Sequence, residues 1–246
     1  MNDCCSKVSR RDLLTVGSVL TGGIVASALV GPKVLASGGA TAAKVGAAMP
    51  AATPQEALQR LKTGNERFVA GKSLAPRREM TRLTETATGQ NPFAAFLSCA
   101  DSRVPVEILF DEGFGDLFVC RVAGNAATPE EIGSLEFGTA VLGAKVLVVM
   151  GHTAGGAVKA TLENAKVPGS IDAVLGAIRP AMKSVKDPKA PTAMSDATIA
   201  NVRLQTDRLT KSPVISGLIK EKKLAVTGAV YDIATGRINW LDTMAS

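Results

Sequence analysis

Aromatic residues and histidine are scarce in this sequence. Seven Phe, one Trp and one Tyr make up 4% of the 246 residues, and His152 is the only histidine. The hydrophobic fraction is nevertheless 46%, which predicts a core built mainly from Ala, Val, Leu and Ile. Because no second imidazole exists, no histidine is available as a proton shuttle beside a histidine-containing site.

Long runs of consecutive Lys and Arg are also absent, although the formal charge is +6. Aromatic residues are not interleaved with the basic ones, as they are in many nucleic-acid-binding segments. This pattern argues against nucleic acid as a partner. A mildly basic pocket for a small anion accounts for the charge better.

Residues 1–36 have the features of an export signal. Ser9-Arg10-Arg11-Asp12-Leu13-Leu14 is a twin-arginine pattern, and Leu13–Pro32 holds no charged residue. Val34-Leu35-Ala36 offers small residues for cleavage before Ser37. The segment predicts twin-arginine export, to the periplasm or otherwise out of the cytoplasm, with membrane contact only through this signal. A retained single-span membrane anchor is the alternative.

Residues 37–52 are rich in Ala and Gly and predict a flexible linker, so the folded domain is expected over 53–246. Apolar runs of strand length lie at Phe93–Ser98, Asp116–Val122, Lys145–Met150 and Leu224–Tyr231. Sequence features typical of helices precede and separate these runs. The first is Thr53-Pro54, which predicts the N-terminus of a helix. Further helices are predicted near Arg78–Thr88, Pro105–Phe110, from Pro129, after the glycines that follow Met150, and over Ser195–Lys211 and Pro213–Lys220.

This alternation predicts an α/β fold: a mostly parallel four-stranded sheet flanked by helices. Ala234-Thr235-Gly236 forms a turn signal, and Arg237–Leu241 after it predicts an antiparallel edge strand at the C-terminus. Lys186–Pro191 is expected to be a loop.

Two candidate metal ligands follow strands of this predicted sheet. Cys99 follows the first strand and His152 follows the third. Ligands of open parallel sheets bind beyond the carboxyl ends of the strands, so the two side chains are expected to meet at that edge. A thiolate and a neutral imidazole are both good zinc ligands. Asp101 and Arg103 lie close behind Cys99, where the arginine would keep the carboxylate ionised and hold it as a bidentate pair.

Several segments carry a family resemblance over most of the chain from Thr53 to Leu241. They are Leu61-Lys62-Thr63-Gly64-Asn65-Glu66-Arg67-Phe68, Cys99-Ala100-Asp101-Ser102-Arg103-Val104-Pro105, Gly115-Asp116-Leu117-Phe118-Val119, Arg121-Val122-Ala123-Gly124-Asn125, Gly133-Ser134-Leu135-Glu136 and Gly228-Ala229-Val230-Tyr231-Asp232. Together they resemble the β-class carbonic anhydrases.

The resemblance implies a zinc lyase that interconverts carbon dioxide and bicarbonate and works as a homodimer or larger homo-oligomer. It implies Cys99 and His152 as metal ligands, with Asp101 and Arg103 as the catalytic pair beside them. The family's second metal-binding stretch reads His-x-x-Cys, whereas Gly155 stands at that Cys position here. With Asp101 as a third ligand, the charge on one zinc per chain would be unchanged, but we expect weaker binding and slower turnover.

Other interpretations of the same residues stay open. Gly155 and Gly156 open a helix after a strand, where backbone N–H groups favour small anions such as bicarbonate. A non-catalytic relative that binds such an anion is therefore the alternative function, and a different small-molecule lyase or hydrolase is a third. Cys120 is expected in the core, with a disulfide to Cys99 as its alternative.

Overall fold

A computed structural model of the chain describes residue 51 and residues 53–241. The predicted export signal, most of the predicted linker and residues 242–246 lie outside the described residues. The described part belongs to a single compact unit. None of its helices combines the length and the apolarity that a membrane span needs.

A five-stranded sheet forms the centre of the molecule, with the strand order β2-β1-β3-β4-β5. Strands β1 to β4 are parallel and β5 runs antiparallel to β4, as predicted. The strands are β1 (Ala94–Cys99), β2 (Leu117–Val122), β3 (Val146–His152), β4 (Ala225–Tyr231) and β5 (Ile238–Trp240). Parallel pairing places the carboxyl ends of β1 and β3, and with them Cys99 and His152, at one edge of the sheet.

Helices cover both faces of this sheet. They are α1 (Pro54–Val69), α2 (Met80–Thr86), α3 (Val106–Leu109), α4 (Pro129–Glu136), α5 (Gly156–Leu162), α6 (Ile171–Ile178), α7 (Ala193–Thr210) and α8 (Pro213–Lys220). Thr53 and Glu56 form a reciprocal capping box at the start of α1, and Thr128 with Glu131 does so at α4. These caps satisfy the free N–H groups that every helix start presents.

Two apolar layers lie on the opposite faces of the sheet because successive strand residues alternate in direction. Phe96, Val148 and Met150 belong to the layer that α1 and α3 cover, together with Leu61 and Phe110. Leu97, Val149 and Val226 belong to the other, together with Val202 and Leu209 of α7. Central strands β1, β3 and β4 are buried along their whole length, as apolar strands of a covered parallel sheet should be.

Arginine–carboxylate pairs fasten α1 and the segment between α1 and α2 to the residues after α3. Arg77 binds Glu112 at 2.6 Å and Asp116 at 2.7 Å. Arg60 also binds Glu112 at 2.6 Å, and Arg67 binds the buried Asp111 at 2.6 Å. Buried carboxylates need such partners, because an uncompensated charge away from water is costly.

The structure departs from the sequence-based expectations at a few elements. The helix that begins at Pro129 changes at Phe137 into a π-helical turn, Phe137–Val141. Helix α6 and the 3₁₀ turn Arg179–Ser184 after it were not predicted. Strand β3 extends two residues beyond Met150, so His152 is the last residue of the strand itself.

Candidate metal and catalytic site

Cys99 ends β1 with its side chain buried at the carboxyl edge of the sheet. Its sulfur accepts a hydrogen bond from the backbone N–H of Asp101 at 3.4 Å. Burial raises the pKa of the Cys99 thiol, but hydrogen bonding by His152 and by the backbone N–H groups of Asp101 and Gly124, together with the charge of His152, outweighs it. The pKa of Cys99 is therefore lowered, which favours the thiolate that a metal or an electrophile requires.

His152 lies beside this sulfur with only 4% of its surface exposed. Its Nδ1 donates to the carbonyl oxygen of Thr153 at 2.8 Å, so Nε2 faces the site. Burial lowers the pKa of His152, but the hydrogen bond and charge of Cys99, the carbonyl of Thr153 and the charge of Asp101 together outweigh it, and the pKa lies above its ordinary value. The carbonyl that holds Nδ1 also fixes the ring orientation, as the partners of metal-ligating histidines commonly do.

Asp101 and Arg103 form a bidentate pair next to the two ligand candidates. Nε and Nη2 of Arg103 donate to the two carboxylate oxygens at 2.9 and 2.8 Å, and its backbone N–H donates to Oδ1 at 2.9 Å. These hydrogen bonds hold the pKa of Asp101 well below its usual range. Oδ2 of Asp101 also lies 4.0 Å from Nε2 of His152. The four predicted side chains are therefore together at one site.

Arg121 of the edge strand β2 supports this loop from the side, a role that the sequence did not indicate. Its Nε donates to the carbonyl oxygen of Cys99 at 2.9 Å, and its Nη2 donates to that of Asp101 at 2.6 Å. Arg121 and Gly124 belong to the same short motif, but only the pairing of β2 with β1 places both against the Cys99 loop.

Gly155 and Gly156 lie at the start of α5, three and four residues after His152. Gly155 precedes the helix with φ −73°, and α5 begins at Gly156. A Cβ atom added at Gly155 would lie 3.6 Å from Nε2 of His152, whereas one at Gly156 would meet no atom within 4 Å. A side chain at position 155 would therefore begin beside the site, and one at 156 would not.

Cys120 does not take part in the site. Both Cys99 and Cys120 are free thiols, so the disulfide alternative is wrong for this structure. In the β1–β2 register Cys99 pairs with Val122, while Cys120 pairs with Leu97. The offset of two residues places the cysteines roughly 7 Å apart along the strands, too far for an S–S bond without backbone movement. Cys120 packs instead beside the core layer under α7.

The chemistry of these donors fits zinc in part. Cys99 and His152 are zinc-type ligands in contact with each other, and Asp101 is the nearest further donor. Arg103 engages both oxygens of that carboxylate, however. Among the residues described, no group of three or more His, Cys, Asp or Glu side chains is arranged as a metal site. A third ligand therefore requires Asp101 to leave Arg103.

Comparison with known proteins decides the family. The carbonic anhydrase family model matches residues 94–238, which include every side chain of the site. The chain belongs to the carbonic anhydrase family. A carbonic anhydrase of Mycolicibacterium smegmatis is 36% identical over 197 residues, covering 77% of this chain and 94% of the relative. Carbonic anhydrase 2 of Mycobacterium tuberculosis is 34% identical over 203 residues, covering 77% and 93%.

Solved structures identify the class within the carbonic anhydrases. The β-carbonic anhydrase CafA of Aspergillus fumigatus aligns with a TM-score of 0.62 and 27% identity, covering 75% of this chain and 89% of that one. One of two tetrameric β-carbonic anhydrases of Sordaria macrospora aligns with a TM-score of 0.61 and 25% identity, covering 75% and 96%. The predicted β-class family and the α/β fold are confirmed, and the family, relatives and fold together support a carbonic anhydrase enzyme.

Proposed function

We propose that this chain catalyses the reversible hydration of carbon dioxide to bicarbonate at a depleted zinc site. Cys99 and His152 would hold the ion, and Asp101 would become the third protein ligand after leaving Arg103. The observation that carries the proposal is that Cys99 and His152 end the neighbouring parallel strands β1 and β3, with Oδ2 of Asp101 4.0 Å from Nε2 of His152 and Arg103 bound to that carboxylate. When bound, zinc supplies the Lewis acidity that makes water a nucleophile near neutral pH.

The chain's own residues set the limits of this reaction. Asp101 stores no proton in either arrangement: beside Arg103 its pKa lies well below its usual range because Arg103 donates to it, and as a ligand its carboxylate would be bound to the ion. His152 is the only histidine, and as a ligand it cannot carry protons. Protons released by hydration must therefore leave to buffer, and we expect the rate to rise with buffer concentration.

The decisive experiment restores a thiol at position 155. We expect Gly155→Cys to raise the zinc content toward one per chain and to raise the hydration rate. The substitution is sterically acceptable, since φ is −73° and the nearest atoms lie 3.6 Å from the new Cβ. Zinc is measured by elemental analysis and hydration by stopped flow.

Gly156→Cys is the matched control, because it adds the same thiol one position later without bringing it to His152. Cys99→Ala and His152→Ala should each abolish zinc retention. If Gly155→Cys leaves zinc content and hydration at the level of Gly156→Cys, the missing third donor does not limit this site, and the proposal fails.

The second candidate is a non-catalytic relative that binds a small anion such as bicarbonate near Gly155 and Gly156. The lack of a complete metal-ligand group among the described residues favours it. It predicts a metal-free protein, after growth and purification with excess zinc, that does not hydrate carbon dioxide and binds bicarbonate in calorimetry. Zinc near one per chain with measurable hydration rejects it.

We also propose that the chain works as a homodimer or larger homo-oligomer after export to the periplasm. The tetrameric relatives from Sordaria macrospora support self-association. Exposed apolar residues of the described chain support it as well, among them Ile108, Phe114 and Phe137, since large apolar side chains on a surface often mark an interface. Light scattering on the purified protein measures the mass, and a monomer would contradict this proposal.

A further inference from the structure

A backbone carbonyl next to His152 selects the tautomer of its ring. Strand β3 ends at His152, and the chain turns away over Thr153 and Ala154 before α5 begins. Nδ1 of His152 lies 2.8 Å from the carbonyl oxygen of Thr153. A carbonyl oxygen can only accept a hydrogen bond, so Nδ1 carries the proton and Nε2 of the neutral ring does not. The orientation of one peptide group therefore decides which nitrogen is free to bind an ion.

Thr153 is fastened to β4 and to the residues that follow it. Its backbone N–H donates to the carbonyl oxygen of Tyr231 at 2.9 Å, which extends the β3–β4 pairing by one residue. Its hydroxyl oxygen accepts a hydrogen bond from the backbone N–H of Ile233 at 3.1 Å. The first bond is available to most residue types, whereas the second depends on the hydroxyl of the Thr153 side chain.

The donor to the Thr153 hydroxyl belongs to a turn that is itself well held. The carboxylate of Asp232 accepts from the backbone N–H of Ala234 at 2.9 Å and from the hydroxyl of Thr235 at 2.9 Å. These bonds are those of an Asx-type turn, in which a side-chain oxygen fixes the backbone just after it. Ile233 lies between the bonded residues, so its N–H has a defined direction toward Thr153.

Ala154 sets the direction of the Thr153 carbonyl. Its φ is +56°, a left-handed conformation that is unfavourable for residues other than glycine. The carbonyl of Thr153 belongs to the peptide group that joins residues 153 and 154, so rotation about φ of Ala154 turns that carbonyl. The carbonyl oxygen of Ala154 accepts from Nη2 of Arg103 at 3.4 Å, which holds the residue from its other side.

We infer that Thr153 and Ala154 are positioning residues, which aim the Thr153 carbonyl at Nδ1 of His152 and leave Nε2 as the unprotonated nitrogen of the neutral ring. Thr153 supplies the anchor, through the N–H of Ile233. Ala154 supplies the direction, through its left-handed backbone. The consequence for zinc rests on the proposed function, whereas the tautomer does not, because it concerns only atoms of this chain.

The test uses the fact that His152 is the only histidine in the chain. Labelling histidine with nitrogen-15 therefore reports on this ring alone. Long-range proton–nitrogen NMR of the full chain, after treatment with a chelator and at alkaline pH where the imidazole is neutral, distinguishes the two tautomers. We expect the proton of the wild-type ring on Nδ1. A proton found mainly on Nε2 would overturn the inference.

Two substitutions at Ala154 test the backbone conformation. Ala154 is exposed, so a larger side chain has room there. Ala154→Val disfavours the left-handed conformation, because a β-branched residue rarely adopts positive φ, and should shift the tautomer ratio toward Nε2–H about tenfold. Ala154→Gly is the matched control, since glycine adopts this conformation readily, and it should keep the proton on Nδ1.

Two substitutions at Thr153 test the anchor. Thr153→Val removes the hydroxyl at nearly constant shape, so it should speed hydrogen exchange of the Ile233 amide about fivefold and shift the tautomer ratio in the same direction. Thr153→Ser keeps the hydroxyl and should restore both. Thr161→Val removes a hydroxyl of α5 that donates to Ala157 within the helix, and should leave His152 unchanged. A wild-type nitrogen spectrum in folded Ala154→Val or folded Thr153→Val overturns the inference for that residue.

Zinc affinity separates this result from the proposed function. Loss of the group that orients a ligating histidine typically weakens metal binding about 10- to 100-fold. If the wild-type protein takes up zinc, Ala154→Val should therefore weaken binding about tenfold, whereas Ala154→Gly should not. If the wild-type protein takes up none, the zinc proposal fails, while the nitrogen spectra still decide the roles of Thr153 and Ala154.

Discussion

Arg103 keeps Asp101 ionised, as a metal ligand must be, but also occupies both of its carboxylate oxygens. The Arg103 side chain is 51% exposed and that of Asp101 is 18% exposed, so water screens part of their attraction. An exposed pair of this kind contributes little to stability because water and salt screen it. Its release therefore costs little compared with the gain of a ligand bond to a divalent ion, and Asp101 remains available to the metal.

From this balance we predict that Arg103→Leu tightens zinc binding. Without Arg103, the carboxylate of Asp101 has no other partner competing with the ion, so the dissociation constant for zinc should fall by up to about fivefold. A zinc titration against a competing chelator measures it. Arg121→Leu is the comparison, because Arg121 contacts backbone carbonyls and not the carboxylate. Weaker zinc binding in Arg103→Leu would contradict the prediction that Arg103 competes with the ion for Asp101.

Helix α7 and strand β3 approach closely just before the site. A Cβ atom at Gly151 would lie 2.8 Å from Cγ2 of Val202 and 3.2 Å from Cγ2 of Thr198. The missing side chain thus lets the helix lie against the strand that ends in His152.

We predict that Gly151→Ala destabilises the protein by about 1–3 kcal/mol, the usual cost of overpacking a core. Urea denaturation measures the loss, and zinc uptake should also fall because His152 is the next residue. Gly133→Ala is the control. Gly133 is exposed in α4 with nothing within 4 Å of an added Cβ, so that variant should be neutral or more stable. Equal stability of the two variants would contradict the close approach of α7 and β3.

The buried carboxylate of Asp111 binds the segment between α1 and α2 at Leu74 and Ala75. Oxygens of Asp111 accept from Arg67 at 2.6 Å and from the backbone N–H groups of Leu74 and Ala75 at 3.0 and 2.8 Å. Burial raises the pKa of Asp111, but these hydrogen bonds outweigh it and the pKa is lowered. The folded state therefore binds this proton more weakly than the unfolded chain does.

We predict that Asp111→Asn costs about 2–3 kcal/mol of stability near neutral pH, because Arg67 loses its charged partner. Because folding lowers the pKa of Asp111, its contribution to the free energy of unfolding is fully present above the unfolded-state pKa of about 3.9. That contribution is lost as the pH falls from there through the lower pKa of the folded state. Urea denaturation should therefore show a gap between wild type and variant that closes below about pH 4. Asp172→Asn, which breaks only the exposed pair with Arg179, should show no such gap.

At the scale of the whole molecule, the proposed export signal lies in residues that precede the folded domain. The twin-arginine route carries proteins that are already folded, so the cysteine of the site would meet metal before it meets an oxidising compartment. The proposed export route would therefore let the Cys99 thiolate bind metal before it could be oxidised.

We predict that replacing Arg10 and Arg11 together by Lys keeps the protein in the cytoplasm of an expressing bacterium. Cell fractionation followed by immunoblotting measures the distribution. Lys7→Arg preserves charge outside the arginine pair and should leave export unchanged. Periplasmic protein at wild-type level in the double variant would reject the twin-arginine assignment.

Local patterns were enough to predict most of the sheet. Apolar runs bounded by glycine and proline located β1 to β4, and the carboxyl-edge rule for parallel strands was enough to pair Cys99 with His152. The π-helical turn at Phe137 and helix α6 were not predicted. The former depends on fit, since a Cβ atom at Gly138 would lie 2.6 Å from the ring of Phe118, and such contacts leave no local pattern.

Residue type and short spacing establish the succession of strands and helices, the chemistry of Cys99, His152, Asp101 and Arg103, and the lack of a thiol at position 155. These properties can be predicted because they act locally along the chain. Only folding brings Arg121 to the carbonyl oxygens of Cys99 and Asp101, and Asn201 of α7 to the carbonyl oxygen of Gly124. Their hydrogen bonds join β1, β2 and α7, which lie far apart in sequence, and such contacts exist only once the chain has folded.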